Sequence, residues 1–338
     1  MTGIINLYKE AGMTSHSCVA AVRKILGTRK VGHAGTLDPE ATGVLPVLVG
    51  SATRCSDYFL KAGKEYEATA RFGFVSDTQD VWGKVKPYPD AADISRITGE
   101  TVAEALKAFE GDILQVPPMY SALKKDGVPL YKLARKGIDA CPEARKVTVY
   151  RAEFLGLTGD DGFPSARIRI RCGRGTYIRT IINDLGADLG CGAVMSSLKR
   201  VAYGGLRLED AVTLAELKEA ASSNGLQNVL LPVDTVFEGR PRAELSEKEF
   251  SDYMQGKTLA LKASRFKLQN SDGEIKKGCL FEDGSTREED VPLTRNGRIF
   301  ATCTLVPADE DEDAKTGAGA SFTGFVKTVH GRFFGVED

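Results

Sequence analysis

The sequence predicts an α+β fold: a catalytic domain around a mostly antiparallel mixed sheet, followed by a small C-terminal β-rich domain. Three observations carry this expectation. Stretches of strand and helix periodicity are intermixed, without the regular alternation of a parallel βαβ fold. At 338 residues the chain is long for one core and suggests two domains. The last roughly 100 residues hold a single helical stretch among several short strand candidates.

Taken in order, Gly3 to Tyr8 reads as a short strand. Thr14 to Gly27 reads as a helix, with Ser15 or Ser17 as its cap, Val19, Val22 and Leu26 on one face, and Gly27 as its stop. A Gly-rich loop runs through Gly43, and Val44 to Val49 is a buried apolar run. Ala52 to Leu60 looks helical, and Glu65 to Phe74 is rich in β-formers. Ala91 to Gly99 is a helical candidate. Thr101 to Phe109 is another, with Val102, Ala105, Leu106 and Phe109 on one side. Val116-Pro117-Pro118 ends that unit and begins an extended loop. Leu130 to Lys136 is a short helix. Val147 to Leu157 and Ala166 to Cys172 are strands; in the second, Arg167, Arg169 and Arg171 alternate with Ile168, Ile170 and Cys172. Thr180 to Leu189 is a helix carrying Ile181, Ile182, Leu185 and Leu189. A boundary near 232–243 divides a domain of residues 1–235 from one of residues 240–338, whose helix is Ser246 to Gln255. The acidic run Asp309 to Asp313 leads into Gly/Ala/Ser-rich sequence and is expected to be a disordered loop over 308–320.

Composition narrows the function classes. No apolar run approaches the ~20 residues that span a bilayer, and the first residues lack the pattern of a signal peptide. The seven cysteines (Cys18, Cys55, Cys141, Cys172, Cys191, Cys279, Cys303) are scattered, odd in number and free of C-x-x-C pairs. That argues against a disulfide framework and for the cytoplasm. The three histidines, His16, His33 and His330, never cluster, so the chain calls for no metal or other cofactor. Residues 1–200 hold 28 Lys+Arg against 22 Asp+Glu, whereas 201–338 hold 17 against 24. A basic first part suits a polyanionic partner.

The chemistry concentrates in residues 31–46, Val-Gly-His-Ala-Gly-Thr-Leu-Asp-Pro-Glu-Ala-Thr-Gly-Val-Leu-Pro. Gly32, Gly35 and Gly43 permit close approach and unusual backbone angles. Asp38 followed by Pro39 and Glu40 is a good helix start, with Asp38 as N-cap. The rival reading is a reactive carboxylate on a Gly-rich loop.

This segment resembles the signature of the TruB-type pseudouridine synthases, G-H-x-G-T-L-D-P-x-A-T-G-V-L-P, at every fixed position. Lys64-Glu65-Tyr66 resembles that family's K-x-Y element, and Gly175-Thr176-Tyr177-Ile178-Arg179 its G-T-Y-I-R element. The similarity extends through Leu198 and covers about residues 3–235. The C-terminal region resembles the family's appended PUA-type RNA-binding module, and the acidic run departs from it. The resemblance implies a stand-alone tRNA pseudouridine synthase that converts uridine 55 of the T loop. Its partner would be the T arm of tRNA, no protein partner would be needed, and the enzyme would be a monomer.

The same resemblance assigns roles. Asp38 is the carboxylate; it could attack the sugar, attack the base or remove a sugar proton. It must begin ionised, and Arg179 is the guanidinium that would lower its pKa and orient it. Near a helix start, Arg179 would oppose the helix dipole, which by itself argues for a specific partner. Tyr66 stacks on the target base and assists proton removal at C5. Tyr177 and Leu198 line the pocket, and Lys64 helps. His33 fills the gap left by an everted nucleotide. Arg23, Lys24, Arg29, Lys30, Arg167, Arg169, Arg171 and Arg174 are candidates to hold phosphates. Two other classes compete. One is a non-catalytic RNA-binding protein, against which the intact set Asp38, Tyr66 and Arg179 speaks. The other is a guide-RNA-dependent synthase, against which the Gly-Val-Leu-Pro ending and the long 76–136 insertion speak.

Overall fold

The computed structural model describes residues 1–89, 94–138, 142–159, 162–237, 240–269, 275–277, 288–307 and 325–333. The expected loop at 308–320, and residues 91–93 of the expected helix at 91–99, lie outside these. The chain divides into two compact units. One comprises Ile5–Val47 and Phe59–Val229, the other Met1–Ile4, Leu48–Tyr58 and Leu230–Asp338. Among the described residues no helix is long and apolar enough to cross a membrane.

A nine-stranded sheet, drawn almost wholly from the larger unit, comprises β1 (Gly3–Lys9), β2 (Val31–His33), β3 (Thr42–Val49), β4 (Lys64–Phe72), β5 (Gly111–Gln115), β6 (Arg145–Thr158), β7 (Ser165–Cys172), β8 (Ala193–Tyr203) and β9 (Leu206–Arg207). The order is β1-β3-β8-β4-β7-β6-β5, with β2 on β3 and β9 on β8. From β8 to β5 every pairing is antiparallel, whereas β3 meets β8 in parallel. The fold is therefore α+β with a mixed, mostly antiparallel sheet, as the intermixed periodicities predict. In β4 the odd and even positions separate cleanly: Lys64, Tyr66, Ala68, Ala70 and Phe72 are buried, and Glu65, Glu67, Thr69 and Arg71 lie on the other face. That period of two is what a one-side-covered sheet imposes.

Helix α2 (Ile178–Asp188) covers the buried face. It buries Ile178, Ile181, Ile182 and Leu185 against Ala68, Ile170 and Met195. Each such side chain contributes about 1.5–3 kcal/mol. The helix starts two residues before the expected Thr180. Its N-cap Tyr177 has no side-chain cap; buried Gln115 substitutes, accepting from Tyr177 N at 2.7 Å and donating to Tyr177 O at 3.0 Å. Helix α1 (Ser15–Leu26) is capped by Thr14, not by Ser15 or Ser17. Thr14 is extended and accepts from Ser17 N at 3.0 Å, and Ser17 Oγ accepts from Thr14 N. Ser15 is spent elsewhere: its hydroxyl bonds both Leu37 N and Leu37 O, at 3.0 and 3.2 Å. Gly27 ends α1 in the left-handed region, as expected.

Other expectations shift by a few residues. The helix expected at Ala52 to Leu60 is a 3₁₀ turn, Gly50–Cys55, followed by Ser56–Lys61. Gly73, at φ +89, ends β4 before Phe74, which belongs to a separate short strand, Phe74–Ser76. Gly99 opens a helix, Gly99–Lys107, under a Thr98 cap, instead of closing one; of residues 94–98 only Ile94–Arg96 turn, as a 3₁₀ helix. Central strand β8 and the helix Leu214–Ser222 were not expected.

The smaller unit holds a five-stranded sheet in the order Ala243–Glu244, Glu288–Arg295, Arg298–Pro307, Phe325–Phe333, Ala260–Lys262. The expected helix forms over Glu247–Met254, with Ser246 and Glu249 as a reciprocal capping box. Phe250 and Tyr253 lay it against a core that includes Leu261, Leu293 and Phe300.

Candidate active site

Asp38 does not cap a helix. It begins a hydrogen-bonded turn in which Ala41 N donates to Asp38 O at 3.1 Å, and the chain passes straight into β3. The turn is held from beneath by Lys9. Its fully buried ammonium donates to the carbonyls of Glu10, Pro39 and Ala41 at 3.0, 2.7 and 2.6 Å. Ser15 holds Leu37, the residue before Asp38. The loop is thus rigid on one side and open on the other.

Gly43 is the clearest local constraint on this loop. It adopts φ +101, and a Cβ there would stand 2.2 Å from the Arg200 carbonyl oxygen. Only glycine meets both conditions. We expect Gly43→Ala to destabilise the chain by about 3 kcal/mol, visible as a lower midpoint in thermal unfolding. An unchanged midpoint would contradict this seating of the loop.

Arg179, in the first turn of α2, has a side chain only 6% exposed, against 43% for Asp38. Its Nε lies 3.2 Å from Asp38 Oδ2. Its Nη1 donates to Thr78 O at 3.1 Å and sits 3.5 Å from Asp80 Oδ2, and its Nη2 donates to Tyr120 O at 3.0 Å. A cation opposed to the helix dipole is therefore held by four acceptors. Asp80 is itself fixed, since its Oδ1 accepts from Thr78 Oγ1 and Trp82 N at 2.6 and 3.1 Å. The intervening Gln79 sits at φ +64, with its side chain accepting from Thr180 Oγ1. Strain of this kind in a non-glycine residue is retained where the surroundings over-determine it.

The electrostatics correct one expectation. Arg179 does draw the Asp38 carboxyl down, but burial is the larger effect and Asp80 adds to it, so the carboxyl lies above the usual aspartate range. Tyr66 is buried on β4, its phenol pushed up by burial and drawn back by Arg200. It belongs to one apolar cluster with Leu37, Ile178 and Leu198. Burial raises the Tyr177 phenol, with Ser121 and Arg179 opposing. Lys64 is brought down to about 8 by burial, and Arg200 adds to the fall; its ammonium lies 4.5 Å from the Tyr203 ring centroid. His33 is half-buried, with burial and then Arg200 lowering its imidazole, and its Nδ1 has no partner.

Asp38 and Arg179 thus meet directly, Tyr177 immediately precedes the helix that carries Arg179, and Tyr66 and Leu198 share a core cluster with Leu37 and Ile178, the neighbours of Asp38 and Arg179 in the chain. Lys64 and His33 stand to the Arg200 side. Of the cations considered for phosphates, Arg23 Nη2 donates to Val31 O at 2.8 Å, and Arg169 pairs with Glu67 and Glu65. Both are already engaged, while Arg167 and Arg171 remain exposed. Sequence reasoning did not single out Asp80, Arg200, Lys9 or Gln115. Lys9 carried a usable signal, a cation ending an apolar strand pattern, whereas Arg200, beside Lys199 and inside β8, carried none. Asp80, in Asp77-Thr78-Gln79-Asp80, carried none.

A family model described as the N-terminal domain of TruB family pseudouridylate synthases matches residues 23–178. A second, described as the tRNA pseudouridylate synthase B C-terminal domain, matches residues 179–238. The chain is 43% identical over 258 residues to a protein named tRNA pseudouridine synthase B from Aromatoleum aromaticum, covering 76% of this chain and 81% of that one. It is 42% identical over 292 residues to the protein of the same name from Stutzerimonas stutzeri, covering 84% and 93%. Among solved structures, a Cbf5–Nop10–Gar1 complex matches with TM-score 0.68 and 26% identity, over 98% of this chain and 84% of the other.

Proposed function

The chain belongs to the TruB family of pseudouridylate synthases, and we propose that it isomerises uridine 55 in the T loop of tRNA to pseudouridine. The observation that carries this reading is the Asp38–Arg179 pair at 3.2 Å, on a turn that is no helix cap, with Tyr66 in the adjoining apolar cluster.

The reaction breaks the bond from ribose C1′ to uracil N1, turns the base and joins C1′ to C5, with the C5 proton leaving. The target base is stacked in folded tRNA and must first be everted. His33 fills the vacated space, Tyr66 stacks on the everted base, and Tyr177 and Leu198 line its pocket. Asp38 then acts at the reacting centre as a carboxylate, by attack on the sugar, attack on the base or removal of a sugar proton; each route starts from the same ionised group. Arg179 holds one carboxylate oxygen, which leaves the other available to the substrate. Residues 240–338 act as a PUA-like RNA-binding domain. The enzyme works in the cytoplasm as a monomer, without a cofactor or protein partner.

The test is site mapping of pseudouridine on an unmodified tRNA transcript treated with the purified chain alone. One modified position, 55, is expected. Modification elsewhere would overturn the site, and a requirement for a guide RNA or added protein would overturn the stand-alone reading.

A further inference from the structure

Arg200 is fully buried in β8. Its backbone stands between the two parts of the site, opposite Tyr66 of β4 on one side and Gly43 of β3 on the other. Its side chain turns back over the Asp38 loop. Nε donates to Val44 O at 2.7 Å and Nη2 to Gly35 O at 2.9 Å, so one guanidinium brackets the segment that carries Asp38. The same group lies 4.7 Å from the Tyr203 ring centroid and 6.0 Å from that of Tyr66. Gly35 is pressed against Tyr203 so closely that a Cβ would stand 2.6 Å from its ring. Among the described residues no carboxylate lies within ion-pair distance of Arg200, and its Nη1 is buried without a partner. A buried arginine without a counter-charge is expensive, and a fold seeking only stability does better with an apolar side chain.

We propose that Arg200 is a positioning residue, a single side chain that pins both ends of the Asp38 loop and sets the Tyr66 ring against it. The inference rests on the roles given above to Asp38 and Tyr66. It adds that their mutual placement is fixed from behind, by a group that touches neither substrate nor reacting atoms. Lysine cannot reproduce this, because its donors radiate from one point while Val44 O and Gly35 O are met by two nitrogens of a planar fork.

The experiment compares Arg200→Lys, Arg200→Met and, as control, Tyr203→Phe, whose lost hydroxyl is buried without a partner in the native protein. Single-turnover pseudouridine formation, tRNA Kd and thermal unfolding are measured on each full chain. Both Arg200 variants should form pseudouridine at least about 100-fold more slowly, with tRNA Kd within about threefold of wild type and a cooperative unfolding transition retained. Tyr203→Phe should match wild type. A rate within about threefold of wild type in either Arg200 variant, a Kd that rises in step with the lost rate, or loss of the cooperative transition would overturn the proposal. The last of these would assign Arg200 to the fold alone. Absence of product from wild type in the same assay would instead count against the proposed function.

Discussion

Asp38→Asn should bind unmodified tRNA within a few fold of wild type and yet form pseudouridine at least about 10⁴-fold more slowly. Asparagine keeps the size of the side chain and leaves the turn untouched, because Lys9, Ser15 and Gly43 set the turn and none of them bonds the carboxylate. What is lost is the ionised oxygen beside Arg179. Stability adds an independent check. The folded carboxyl titrates above its unfolded value. A group shifted upward contributes its stability below the unfolded pKa and loses it as pH rises through the folded one. At neutral pH wild type therefore carries an ionised group in a site that disfavours it, and the amide of the variant carries no charge there. Thermal unfolding of Asp38→Asn should match or exceed wild type at pH 7, with the difference shrinking toward pH 4. Solvent reaches the open side of the carboxyl and screens part of this, so the direction is the prediction. A variant less stable at pH 7 than at pH 4, relative to wild type, would show that the Arg179 pair outweighs burial.

The candidate site was legible mainly through resemblance, because the segments holding Asp38, Tyr66 and Arg179 match motifs of a known family. Local pattern alone makes Asp38 a helix cap and Tyr66 a core aromatic of a strand, and only Arg179, a cation at a helix start, asks for a partner by itself. The fold class followed from local periodicities, and Gly27 and Ser246 mark helix ends because capping is decided within a few residues. Thr14, Ser15 and Ser17 were harder to tell apart, since each can cap and only the position of Leu37 decides that Ser15 is taken. Arg200 and Lys9 act across 156 and 32 residues of chain respectively, a separation that no local pattern encodes. The sign of the Asp38 shift was missed for a related reason. A sequence can suggest a guanidinium partner, but burial and the second carboxylate, Asp80, exist only in the folded chain.

Arg179→Lys should lower turnover by about 10²–10³-fold, the usual cost of one preorganised donor, and should change the pH dependence in a direction that identifies the cause. Three nitrogens of Arg179 reach Asp38, Thr78 O, Asp80 and Tyr120 O in one plane. A lysine ammonium is a compact point charge and cannot span them. Arg179 is the main influence drawing the Asp38 carboxyl down, so its retreat should move the acid limb of the rate profile to higher pH. Asp80→Asn should do the reverse, because Asp80 pushes the same carboxyl up, and the limb should move to lower pH even as Arg179 loses one acceptor. The two variants therefore pull one titration in opposite directions, which simple loosening of the site cannot do. Single-turnover rates from pH 4 to pH 8 in wild type and both variants measure this directly. Identical acid limbs in the three proteins would mean that the group titrating in the rate is not the carboxylate of Asp38.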